Sequence, residues 1–477
     1  MQAPGVTWGD TKRRRVSAAI VAATVVGLAG QVGLSATGAS ATGVRATGVS
    51  TTAGSTEPTI SLLGDAYSPV YDAASPQMLA SATGANKYWS SGFFGQGIGV
   101  AVLDSGVSKV DGLRRNVFYG PDLSPEGRDV NLANLDTFGH GTFMSGLIAG
   151  RTDAATRPYL ADYSATSYVG TAPEAKIISV KVADSLGNTQ QSTIIRGIDW
   201  VIQHRNDPGL NIRVLNLSLG AVNSTGYLND ALSAATERAW AAGIVVVAAA
   251  GNDGSAGLLL PAADPYVIAV GAIDNINTVS VADDKLADFS NRGSVGIRTP
   301  EFSAPGTHVI GLRVPGSYID TTFSGTGAAS PSFFRGSGTS EAAAITSGAA
   351  ALVLSQYPSA TPDQVKALLT GHAMLLPGLN SIEAGRGGLY VAGAFGEALT
   401  SVRQAFTHSA NWQTVSANWA GGSWSNNVWT GPGAPAPTVS ESGSRWTGSR
   451  WTGAAWTGSR WTGSTWSGSR WTEYSWR

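Results

Sequence analysis

Three side chains of this sequence, Asp104, His140 and Ser340, have the types needed for nucleophilic hydrolysis. Asp104 directly follows the apolar run Ile98 to Leu103 and precedes Ser105-Gly106. That is the carboxyl end of a strand, where open α/β sheets place their sites. His140 lies in Gly139-His140-Gly141-Thr142, at the start of a helical pattern. Glycines weaken a helix start, so close backbone approach to the ring and to a substrate would explain them. Ser340 lies in Gly336-Ser337-Gly338-Thr339-Ser340-Glu341-Ala342-Ala343-Ala344, a glycine-spaced loop leading into an alanine-rich helix. The free amides of a first helical turn stabilise negative charge developing there. A fourth residue, Asn252, ends the run Ala248-Ala249-Ala250-Gly251 and can aim its amide into a cleft. Taken singly, these residues are also a turn Asp, a helix cap and a turn Asn. The other histidines, His204, His308, His372 and His408, sit in no comparable motif.

Positioning these groups calls for an α/β domain. Short β-branched runs alternate with longer amphipathic stretches from about residue 86 to 398. The predicted strands are Ile98 to Leu103, Lys176 to Val182, Ile212 to Leu219, Ile244 to Ala249, Tyr266 to Val270 and His308 to Leu312. Most are continuous apolar runs, as expected for parallel strands covered on both faces. Helices are predicted over Ser192 to His204, Leu228 to Ala242 and Thr339 to Gln356. A further one opens at Thr361, with Pro362 in its first turn and Gln364 completing a capping box.

Together the four motifs resemble the subtilisin-like serine peptidases over roughly residues 86 to 398. The order Asp, His, Ser along the chain is that family's order. Flanking stretches carry the resemblance further: Asp199-Trp200-Val201-Ile202, Leu217-Ser218-Leu219-Gly220, Phe289-Ser290-Asn291-Arg292-Gly293 and Ser303-Ala304-Pro305-Gly306. The resemblance implies a three-layer fold with a mostly parallel central sheet and helices on both faces. It implies Ser340 as nucleophile, His140 as general base and acid, and Asp104 as the group that orients the imidazole. The Ser340 backbone N–H and the Asn252 amide would form the oxyanion hole. Substrate would pair as an extra strand with Ser218-Leu219-Gly220 and Ala249-Ala250-Gly251. The sequence departs from the family pattern at Glu341, where Met is usual, at Ala344, where Pro is usual, and at Met144-Ser145, where a small apolar pair is usual.

The rest of the chain sets the context. Lys plus Arg number 31 and Asp plus Glu 32, which argues against a nucleic-acid partner. Cysteine is absent, which excludes disulfides, thiolate metal sites and a Cys nucleophile. No cofactor is expected, and no acidic loop reads as a metal site, although structural calcium is compatible with the family. Residues 1–41 read as a signal peptide, with Lys12 to Arg15 followed by an uncharged stretch and Ala39-Ser40-Ala41. Residues 42–80 read as a linker or short pro-segment, 81–400 as the peptidase domain and 401–477 as a Trp-rich tail. Eleven of the 15 tryptophans lie in the last 66 residues, mostly at period five, which matches neither a helix nor a strand. The expected protein is a secreted, extracellular or wall-associated monomeric endopeptidase acting on protein or peptide substrates. The tail is a candidate binder of a cell-wall ligand. Two other readings stay open at this level: a wall-binding protein with a weak or silent protease domain, and a membrane-anchored processing protease.

Overall fold

A computed structural model of the chain describes residues 67–410, apart from 160–163, 165, 224–225, 255–256 and 295–296. It also describes the backbone of 424–425, 428–429, 459–461 and 471–473. The signal-peptide reading and most of the tail lie outside the described residues. In chain order the elements are α1 (Pro76–Ala82), α2 (Ala85–Ser90), β1 (Gly99–Asp104), β2 (Val117–Asp122), α3 (His140–Ala149), β3 (Lys176–Lys181), α4 (Gln191–His204), β4 (Ile212–Leu217), α5 (Ala231–Ala241), β5 (Val245–Ala249), β6 (Ile268–Asp274), β7 (Lys285–Leu286), β8 (Phe302–Pro305), β9 (Val309–Leu312), α6 (Tyr318–Gly327), β10 (Phe333–Gly336), α7 (Thr339–Gln356), α8 (Pro362–Gly371) and α9 (Ser381–Ala384).

The apolar runs fold as strands buried on both faces: every residue of β1 and of β5 is buried. The main sheet runs β2-β3-β1-β4-β5-β6-β7, with β8 also on β6. All pairings in it are parallel except β6 with β7. Helices α3 and α7 pack together on the sheet, and α4 and α5 pack together on it as a second pair. This is the α/β architecture expected from the sequence. The chain leaves β1 toward β2 and β3 and returns to lay β4 on its other side. The carboxyl end of β1 is therefore a topological switch point, and Asp104 stands on it.

Two helices follow their sequence signals closely. Helix α7 spans Thr339–Gln356 as predicted. The Thr361 and Gln364 side chains form the reciprocal capping box at the start of α8. The stretch 42–80 departs from its linker reading at its C-terminal end. Tyr67 is buried with its ring 4.7 Å from that of Phe333, Asp72 pairs with Arg335, and Ser75 caps α1. Its few apolar side chains cannot form a core of their own, but they complete the core of the domain. At the other end, Gln404, Phe406, His408 and Ser409 are hydrogen bonded to the domain. In the tail, Trp424–Ser425 pairs with Val428–Trp429, and Ser459–Trp461 with Trp471–Glu473, both antiparallel. Among the described residues no helix is long and apolar enough to cross a membrane.

Candidate active site

Four element ends deliver the side chains. Asp104 is the last residue of β1, His140 the first of α3, Ser340 the second of α7, and Asn252 follows β5 after Ala250 and Gly251. The Nδ1 of His140 lies 2.9 Å from Oδ1 and 3.0 Å from Oδ2 of Asp104, with both side chains buried. That contact fixes the tautomer so that Nε2 is the basic nitrogen. Burial disfavours the imidazolium, but the charges of Asp104, Glu341 and Asp136 outweigh it and hold the His140 pKa above its ordinary 6.5.

The glycines around His140 are explained by space. A Cβ on Gly141 would stand 2.2 Å from the carbonyl oxygen of Gly106, and Gly139 has φ 106°. Any other residue at 141 would push α3 off the end of β1 and separate the imidazole from Asp104. At 139 the left-handed backbone favours glycine.

Ser340 is buried at the start of α7. Its hydroxyl donates to the backbone oxygen of Ser218 (3.1 Å), and Ser218 Oγ donates to the Ser340 carbonyl (2.9 Å). The Asn252 side-chain oxygen accepts from the Thr339 amide (2.8 Å) and hydroxyl (2.9 Å). These two bonds hold the Asn252 side-chain oxygen against the start of α7.

The two segments expected to pair with substrate differ in their bonding. The Ala250 amide donates to Val270 O and its carbonyl accepts from Leu259 N; both groups of Gly251 are engaged as well, by Thr339 and Asn291. Ala249 is paired within the sheet. The backbone groups of Ala250 and Gly251 are thus engaged within the domain. Ser218-Leu219-Gly220 runs on past the end of β4, and the Ser218 carbonyl accepts from Ser340 Oγ. A Cβ on Gly220 would meet Leu259 at 2.9 Å, so glycine there lets the two segments that carry Gly220 and Leu259 approach closely.

Reading the motifs missed one residue beside the site. Asp136 is buried behind the His140–Asp104 pair and accepts from Ser105 Oγ, Gly139 N and Thr142 N. An acidic residue just before a helix start was the available signal. Among the described residues no group of three His, Asp or Glu side chains is placed to hold a metal ion.

The model of the subtilase family matches residues 95–405. The chain belongs to the subtilase family. This subtilase is 40% identical over 290 residues to the serine protease AprX of Bacillus subtilis (strain 168), covering 58% of this chain and 61% of that one. It is 33% identical over 314 residues to subtilisin E of the same organism, covering 64% of this chain and 67% of the relative. A crystal structure of a cold adapted subtilisin-like serine proteinase is 28% identical, covers 63% of the subtilase and 90% of that chain, and superposes with a TM-score of 0.47. The subtilase thus spans about three fifths of AprX.

Proposed function

We propose that this subtilase is a secreted serine endopeptidase that cleaves protein or peptide substrates through an acyl-enzyme. The observation that carries the reading is the buried contact of both Asp104 oxygens with His140 Nδ1. To react, the Ser340 hydroxyl turns from Ser218 O to His140 Nε2. Its proton passes to the imidazole as Oγ bonds to the scissile carbonyl carbon. Asp104 stabilises the imidazolium that results, without taking the proton itself. The negative oxygen of the tetrahedral intermediate is met by the Ser340 N–H and the Asn252 NH2. The intermediate collapses as the C–N bond breaks and the imidazolium gives its proton to the leaving amine. Water then repeats the sequence on the acyl-enzyme, with His140 again the base.

Secretion rests on residues 1–41, whose basic start, uncharged stretch and small-residue cleavage pattern fit an export signal. The test of the chemistry is labelling of the purified protein by a phosphonylating serine reagent, with the modified residue mapped. The expected adduct is on Ser340 alone, with no labelling and no peptide hydrolysis in Ser340→Ala. Labelling that survives in Ser340→Ala would remove the assignment.

A further inference from the structure

The mechanism above leaves a second buried carboxylate unused. Asp136 lies four residues before His140, and its side chain is turned inward toward the end of β1. The residue at the N-cap of α3 is Gly139, which has no side chain to cap the helix. Asp136 supplies the cap from outside: Oδ1 accepts from Gly139 N (2.6 Å) and Oδ2 from Thr142 N (2.7 Å). The first turn of α3, and His140 with it, is thereby fixed to a carboxylate other than its catalytic partner.

The same carboxylate reaches Ser105, the neighbour of Asp104. Ser105 Oγ is 2.7 Å from Asp136 Oδ1 and 3.2 Å from Asp104 Oδ1. A hydroxyl has one proton and cannot serve both. The shorter contact takes it, in the range of a strong hydroxyl–carboxylate bond. Ser105 Oγ meanwhile accepts from Gly141 N (3.0 Å), so its orientation is set from the α3 side. Asp104 Oδ1 is left with the Ser105 amide (2.8 Å) and the imidazole.

We propose that Asp136 is a positioning residue for the triad: it anchors the first turn of α3 and draws the Ser105 proton away from Asp104. The inference rests on the triad reading above. Its physical consequence follows from hydrogen-bond competition. A carboxylate that accepts one more donor is a weaker partner for an imidazolium. If Asp136 lost its charge, the Ser105 proton would turn to Asp104 and the His140 imidazolium would lose support. The charged groups facing His140 are Asp104 from β1, Glu341 from α7 and Asp136 from the segment before α3, and all three act in the same direction on its proton affinity.

The test uses the full-length protein as Asp136→Asn, Ser105→Ala and the double variant, each with its melting temperature. The His140 titration is followed by NMR on histidine-labelled protein, and the acid limb of kcat/KM is followed with a short peptide substrate. Asp136→Asn is expected to lower the His140 pKa by roughly 0.5–1 unit. The acid limb moves to lower pH with it, and kcat falls by about 10- to 100-fold as the imidazole loses its alignment. Ser105→Ala is expected to leave the His140 pKa in place, because the deleted proton was not on Asp104. In the double variant the shift is smaller than in Asp136→Asn, since no hydroxyl remains to turn. An unchanged pKa in Asp136→Asn overturns the proposal, whatever happens to kcat. If that variant does not fold, Ser105→Ala decides alone: a raised His140 pKa would mean that the hydroxyl had been donating to Asp104. Because the NMR titration needs no turnover, failure of this inference is separable from failure of the peptidase reading, which serine-reagent labelling reports.

Discussion

The side-chain oxygen of Asn252 accepts two hydrogen bonds from Thr339, the residue immediately before Ser340. One residue thereby ties the end of β5 to the start of α7 and sets the direction of its own NH2 group. Asn252→Ala is expected to lower kcat by about 100- to 1000-fold with little change in KM, the range found when a single oxyanion-hole donor is removed. Steady-state kinetics on a short peptide check it. A loss below about tenfold would assign the donor role elsewhere.

Glu341, fully buried in the first turn of α7, adds negative charge beside the imidazole and raises its affinity for a proton. The same charge opposes an oxyanion forming at the Ser340 amide, and a water-poor cleft screens that repulsion weakly. Glu341→Gln is expected to move the acid limb of activity to lower pH and to raise turnover at the plateau. A pH–rate profile of the two proteins checks both, and an equal or lower plateau would show that the charge does not reach the oxyanion.

Lys366 is a buried ammonium inside an oxygen cage. It donates to the carbonyls of Pro265 (2.6 Å), Tyr266 (3.3 Å) and Val267 (2.9 Å) and pairs with Glu301 at 3.0 Å. Arg298 binds both oxygens of Glu301. Lys366→Met takes a donor from each carbonyl and is expected to destabilise the fold by about 3 kcal/mol, the lower end for a broken buried pair because Arg298 stays. Burial lowers the Lys366 pKa from 10.5 to about 8. Between those values the unfolded chain binds more protons than the folded one, so this group's contribution to stability grows as pH rises through the window. The stability difference between wild type and Lys366→Met should therefore widen above about pH 8, measured by denaturant titration at several pH values.

The segment 404–410 is a second fastening. His408 Nδ1 lies 2.6 Å from Glu237 Oε2, and the Ser409 amide donates to Glu237 Oε1 at 2.8 Å. Asp264 stands behind Glu237, its carboxyl pushed well above the usual range by burial and by that neighbouring charge. A chain ending at residue 410 should keep the stability and peptide hydrolysis of the full protein. One ending at 403 strips Glu237 of both donors and should lose about 2–3 kcal/mol. Melting curves of the two truncations decide it. Deleting only 434–477 should leave hydrolysis unchanged, and equal retention on cell-wall material with and without that stretch would remove an adhesive role for it.

Much of this site was legible because its residues end strongly patterned elements. The run before Asp104 is apolar without interruption, and the glycine loop before Ser340 leads into a helix of small residues. Elements with mixed signals were missed. Strand β2 reads Val-Phe-Tyr-Gly-Pro-Asp, whose last three residues are turn formers, and α6 carries two glycines in ten residues. Both exist because tertiary pairing outweighs local preference: β2 lies on the edge beside β3, and the Ser317 side chain caps α6. The bonding of Ala250 and Gly251 was hidden for a different reason. Whether a backbone amide is free depends on Val270, Leu259, Thr339 and Asn291, all remote in sequence. Asp136 offered a helix-start signal, but its tie to Ser105, 31 residues earlier, was hidden for the same reason.

Helix α7 is buried from Thr339 through Leu354, and at Gly348 an added Cβ would stand 2.5 Å from Thr171. Ser340, the proposed nucleophile, is therefore mounted on a helix buried in the core of the domain. Close-packed interiors do not yield by degrees. Heating should then leave no stage at which the protein is folded but has a wandering serine. Loss of catalysis and loss of the core become a single event, and the half-life of activity at high temperature reads out the unfolding rate of the whole domain.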